Sequence, residues 1–123
     1  MARTPTMFPF KAAAPDAYQF DTIATVSSGS VTAQAPTAAQ SYIDVAVSTN
    51  TVTVTFPVAT KFLGASCTII KAAGTLDAQP SMQITAYTTS SVTFQCHKSS
   101  DGSALSVPDC DLAVSVRAQY GKV

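Results

Sequence analysis

The segment Thr49–Pro57 constrains this chain more than any other. Val52, Val54 and Phe56 alternate with Thr51, Thr53 and Thr55, the period-two pattern of a strand with one buried face. Every residue from Thr51 to Phe56 is β-branched or aromatic, so local preference agrees with the pattern. Pro57 has no N–H for a ladder and closes the strand. Upstream, Ile43, Val45 and Val47 alternate with Tyr42, Asp44 and Ala46, and Ser48-Thr49-Asn50 supplies turn chemistry. Residues 42–56 therefore read as a β-hairpin.

The same alternation recurs along the chain. Asp21–Val26 and Ser30–Gln34 flank Ser27-Ser28-Gly29, a second hairpin. Residues 35–40 form a spacer, 57–65 a loop holding Phe62-Leu63-Gly64, and Ser66–Lys71 a strand. After a loop over 72–81, Met82, Ile84 and Ala86 oppose Gln83, Thr85 and Tyr87. Past Thr88-Thr89-Ser90-Ser91, the residues Val92, Phe94 and Cys96 share one face, with Thr93, Gln95 and His97 on the other. A long polar loop over 98–109 precedes a last strand with Leu112, Val114 and Val116 inside. No segment carries a helical period. The pattern predicts an all-β fold, a small antiparallel β-sandwich over residues 21–123.

Residues 1–20 differ from the rest. Pro5, Pro9 and Pro15 do not suit sheet interiors and, with Ala12-Ala13-Ala14, favour an extended, polyproline-like path. Met7, Phe8, Phe10, Tyr18 and Phe20 are interleaved with them, more large apolar side chains than a solvated linker carries. Two readings follow: an arm packed along its own domain, or an arm that docks into a neighbouring subunit through those five residues.

Composition narrows the function. Charged residues are 11% of the 123 and the formal net charge is zero, which leaves no electrostatic footprint for nucleic acid or an anionic membrane. So weakly charged a surface fits either cover by neighbours or a Thr-rich sheet face. No stretch approaches the ~20 apolar residues of a membrane span. Pro5, Pro9 and Lys11 interrupt any signal-peptide core, so synthesis in a cytoplasm is expected. The three cysteines lack Cys-x-x-Cys spacing. Buried free thiols at Cys67 and Cys96 are the simpler expectation, with a bridge between them as the alternative in an oxidising compartment. Cys110 falls at a loop end, where it could pair between chains.

Catalytic chemistry finds little support. The chain has one histidine, His97, and no glutamate; no Gly-x-Ser-x-Gly elbow or Gly-rich phosphate cradle occurs. His97 ends a strand on its polar phase and is expected to be exposed without a role. Asp109-Cys110-Asp111, with Asp101, is an acidic cluster without the spacing of a calcium loop. Phe62, Tyr87 and Tyr120 are candidates for a sugar-stacking platform, or for core and interface. The reading is a non-enzyme with no catalytic residues, metal or cofactor.

From Asn50 onward one order of features stands out. Thr53-Val54-Thr55-Phe56-Pro57 is followed by Phe62 in a loop, Cys67-Thr68-Ile69-Ile70, and Pro80-Ser81-Met82-Gln83-Ile84-Thr85. Then come Thr88-Thr89-Ser90-Ser91-Val92-Thr93-Phe94-Gln95-Cys96, a Gly-containing loop and Leu112–Ala118. Over about seventy residues this resembles the small β-sandwich modules that end many tailed-phage fibres, a grouping that includes H-type-lectin-like folds. Tyr120-Gly121 stands where those modules often end in an aromatic-plus-Gly strand, and no metal or sugar ligand of the grouping matches a position here. The resemblance implies a bacteriophage virion structural protein, a homotrimer, assembled in the host cytoplasm. Without a shaft, and with its arm, the chain looks more like a capsid decoration, spike or short fibre protein anchored by residues 1–20. The alternative is a receptor-binding module whose loops 57–65, 72–81 and 98–109 contact a host-surface glycan.

Overall fold

The computed structural model describes residues 17–72 and 80–121. Two four-stranded antiparallel sheets pack face to face. The first contains β1 (Ala17–Ser27), β2 (Ser30–Ala35), β5 (Lys61–Ala72) and β8 (Cys110–Gln119), in the order β2-β1-β8-β5. The second contains β3 (Asp44–Ser48), β4 (Thr51–Thr55), β6 (Pro80–Tyr87) and β7 (Ser91–Lys98), in the order β3-β4-β7-β6. The expected all-β sandwich is therefore observed.

Alternation builds the core. Val52, Val54, Val92, Phe94 and Cys96 from one sheet, with Phe56 just past β4, meet Leu112, Val114, Val116 and Ala118 from the other, all buried. Pairing is in register across β4 and β7, where Val52 faces Phe94 and Val54 faces Val92. Ser28 and Gly29 turn β1 into β2 with φ of 53° and 79°, the positive values a tight two-residue hairpin takes.

The spacer after β2 holds one turn of helix, α1 (Ala38–Ser41). Thr37 and Gln40 cap it reciprocally: the Gln40 N–H donates to Thr37 Oγ1 and the Thr37 N–H to Gln40 Oε1, the Thr-x-x-Gln form of a capping box. At that edge the Gln34 side chain joins the sheets. Its Nε2 donates to the Ile43 carbonyl at 3.0 Å and its Oε1 accepts the Val45 N–H at 2.9 Å. The amide thus stands in for a peptide group beside β3.

Four expectations are corrected. β1 starts at Ala17, so the sandwich begins four residues before the expected boundary at 21. Tyr18 and Phe20, assigned to the arm, are 4% and 3% exposed and lie inside the core, because Ala17–Val26 pairs with β8 along its whole length. β5 begins at Lys61, so the expected loop over 57–65 is strand from its fifth residue. Cys110 is a buried residue of β8 rather than a loop-end cysteine.

Candidate functional site

Tyr87 reaches its place through a break in the strand pattern. Between Ile84 and Ala86 the β6–β7 register slips by one: Ile84 faces Phe94, Ala86 faces Thr93, and Tyr87 faces the buried Val92. The bulge moves Tyr87 from the outward phase, where simple alternation puts it, to the phase of Ile84. Across the sandwich β5 has its own slip between Phe62 and Gly64, leaving Phe62 opposite buried Ala118. Gly64 has φ +150°, a backbone that residues with a Cβ rarely adopt. Two bulged edge strands, one per sheet, thus aim Phe62 and Tyr87 at each other.

The result is an aromatic ladder running from core to solvent. Phe56 stacks on Phe62 with centroids 5.9 Å apart, and Phe62 on Tyr87 at 4.8 Å, both with planes 27° apart. Phe56 is buried while Tyr87 is 60% exposed. Beside it runs the 56–60 link, whose Phe56 and Ala59 N–H groups donate to Ser90 and Thr89 carbonyls. This fixed link holds Val58 out at 75% exposure. Val58, Leu63 and Tyr87 are three of the five exposed large hydrophobics among the described residues, and all three belong to this end.

Ala17, the first described residue, stands at the same end. Ala17 pairs with Gln119, and Gln119 pairs with Lys61, so the first strand residue stands two strands from the base of the ladder, about 10 Å. Next to it Tyr120 meets Tyr18 at 6.1 Å and Phe20 at 5.9 Å, while Phe20 meets Tyr42 at 5.9 Å. The Tyr120 hydroxyl donates to the Pro57 carbonyl at 2.6 Å, and burial pushes its pKa up to about 12. Of the suggested platform, Phe62 and Tyr87 come together and Tyr120 belongs to this separate cluster. Met7, Phe8 and Phe10 lie outside the described residues. Val58 and Leu63 carried no periodic signal in the sequence, so their grouping depends on the fold.

The opposite end holds the other sequence candidates. Asp109 Oδ1 accepts the Ser28 N–H at 2.9 Å, and Asp111 Oδ1 accepts the Thr25 hydroxyl at 3.0 Å. Asp101 accepts the Ser103 N–H and hydroxyl, the hydrogen bonds that chiefly hold its carboxyl below the usual range. The carboxylates pin separate backbone segments, and among the described residues no group of His, Cys, Asp or Glu is arranged to hold a metal ion. His97 is half-buried rather than exposed, because Ala104 pairs beside it. Its Nδ1 lies 3.4 Å from the Lys98 carbonyl.

Of the loops expected to contact a glycan, 57–65 and 98–109 lie at opposite ends, while the flanks of 72–81, Ala72 paired with Cys110 and Pro80 with Lys98, stand at the end of 98–109. The 57–60 link lies with the 88–90 turn at the ladder end, whereas the 98–109 loop meets Thr49 and Ser28 at the other. Residues 73–79, the middle of the third loop, lie outside the described residues. Cys67, Cys96 and Cys110 are free and buried. Burial pushes Cys67 up to about 12, with Cys110 and Cys96 adding to it, and pushes Cys110 up to about 11. A shallow groove of about 320 Å³ crosses the first sheet between Asp21, Ile23, Pro36, Ser66, Thr68 and Ser115. Among the described residues no helix is long and apolar enough to cross a membrane.

No family model, curated protein or solved structure matches this chain.

Proposed function

We propose that this chain is a structural subunit of a tailed-bacteriophage particle, a decoration, spike or short fibre protein, held in place through its N-terminal segment. The observation that supports this reading is how the root of that segment is built. β1 is an inner strand, paired with β8 over Ala17–Val26 and with β2 over Ile23–Ser27. Tyr18 and Phe20 are sunk in the core immediately after the Pro-rich residues. A pull on residues 1–16 runs along β1 and loads the whole ladder in shear, so the segment can bear attachment without opening the sandwich. Met7, Phe8 and Phe10 carry the contact. Each such side chain contributes about 1.5–3 kcal/mol when buried, and the prolines reduce the entropy lost on ordering.

Purified particles from the producing host test this reading. The chain should be present at a fixed copy number relative to the shell or tail protein. Its absence from particles, with the protein present in the lysate, contradicts the proposal.

A further inference from the structure

We propose that β3 is a strand-pairing edge which the Gln34 side chain holds closed, and that the strand it accepts is β3 of a second copy, antiparallel to it. The inference rests on the sandwich alone and does not depend on the particle.

The sheets end in β2 and β5 on one side and in β3 and β6 on the other. Free edges are commonly guarded against pairing by bulges, proline or charge. β2 has an extra residue at Thr32, β5 slips twice, and β6 slips once and opens with Pro80. β3 has no such break: Asp44–Ser48 pairs with β4 residue for residue.

The guard of β3 comes from the other sheet. Gln34 of β2 takes the Val45 N–H at 2.9 Å and donates to the Ile43 carbonyl at 3.0 Å. In a strand the N–H and C=O of one residue point to the same side, and successive residues alternate. The Val45 carbonyl and the Val47 N–H therefore face away from β4 as well. An antiparallel β3 pair centred on Val45 uses this set. Each Val45 N–H would donate to the other Val45 carbonyl, and each Val47 N–H to the other Ile43 carbonyl. Every bond of that pair needs a group the amide holds, so Gln34 has to leave before two edges join. A groove of about 260 Å³ beside Val31, Ala33, Thr37 and Asp44 gives it room to do so.

A second copy suits this edge. Identical strands pair self-complementarily about a two-fold axis, and one contact consumes both edges, so association stops at the dimer. The formal net charge is zero, so copies are not held apart by repulsion. In this register Ala46 of one copy lies opposite Asp44 of the other, and both positions are exposed.

Sedimentation velocity on full-length variants tests the proposal, at concentrations low enough to keep wild type monomeric. Gln34→Met fills the same space without either hydrogen bond. It should dimerise about tenfold or more tightly than wild type, at twice the 12.7 kDa chain mass. Gln34→Ala should do the same and guards against a poor fit of methionine. Adding Ala46→Asp sets like charges opposite each other and should weaken the dimer, whereas Ala46→Lys meets Asp44 and should tighten it. In wild type, amide hydrogen exchange should be slow at Val45 and fast at Val47.

Folded Gln34 variants that associate no more tightly than wild type overturn the proposal, as does growth beyond the dimer. Equal effects of Ala46→Asp and Ala46→Lys overturn β3 as the paired strand. A Val45 N–H that exchanges as fast as that of Val47 overturns the closed edge, whether or not the variants fold.

Discussion

Phe62 and Tyr87 lie on different sheets, 25 residues apart in sequence, and stack at 4.8 Å. Neither sits where uninterrupted alternation would aim it at the other. A one-residue slip follows Phe62 in β5 and another precedes Tyr87 in β6, and each re-aims a side chain at the rim of the sandwich. The arm root, the exposed Val58 and the ladder consequently share one end of the molecule.

Gly64→Ala should destabilise the protein by about 1 kcal/mol or more, because alanine at φ +150° is strained. Crowding contributes little, since the nearest atom to an added Cβ is Arg117 Nη2 at 4.0 Å. Urea unfolding gives the cost. An unchanged midpoint would mean that the bulge does not depend on glycine.

Phe56→Ala should cost about 3–5 kcal/mol, the range for a buried aromatic. Thr55→Ala, on the exposed phase of β4, should cost at most about 1 kcal/mol. Equal costs in urea would contradict the strand phase.

Those two residues mark how far the sequence was legible. Where side chains alternate without interruption, as in β3, β4, β7 and β8, phase follows from the residues alone because a misregistered strand would expose its whole apolar set. The bulges at Leu63 and Thr85 were not legible, since a slip is a property of two paired strands. The start of β1 was missed for another reason. Tyr18 and Phe20 follow Pro15, and proline-aromatic interleaving looks the same whether the aromatics dock elsewhere or enter their own core. Thr37-Ala38-Ala39-Gln40 does carry the capping-box spacing, but one helical turn is too short for periodicity to register. The candidate site was half visible: Phe62 and Tyr87 stood out as aromatics, whereas Val58 and Leu63 join them only through the fold.

Two truncations should separate arm from core. Removing residues 1–16 should leave the thermal midpoint nearly unchanged. Removing 1–20 takes away Tyr18 and Phe20, each buried and of a type whose loss costs about 3–5 kcal/mol, and should unfold the domain. Circular dichroism melts check both, and equal midpoints would contradict the placement of β1.

Alkaline pH should weaken the fold through the buried thiols and Tyr120. Folding raises Cys67 to about 12 and Cys110 to about 11 from an ordinary 9.0, and Tyr120 to about 12 from 10.0. These groups are neutral in both states below pH about 9, where their contribution is complete. Above it the unfolded chain loses protons that the folded chain keeps, so stability falls as pH rises toward 11–12. At pH 8 a disulfide reagent should label the native thiols slowly and all three rapidly in urea. Fast native labelling, or a flat stability profile from pH 8 to 11, would contradict the buried placement.

The most direct test of arm-mediated attachment is the copy number of the chain on purified particles carrying Phe8→Ala with Phe10→Ala. A loss of ~1.4 kcal/mol in the contact already lowers affinity tenfold. The account predicts a folded protein with a wild-type melt whose occupancy on particles falls at least tenfold. Wild-type occupancy with both phenylalanines removed would contradict it and would place the attachment surface on the sandwich.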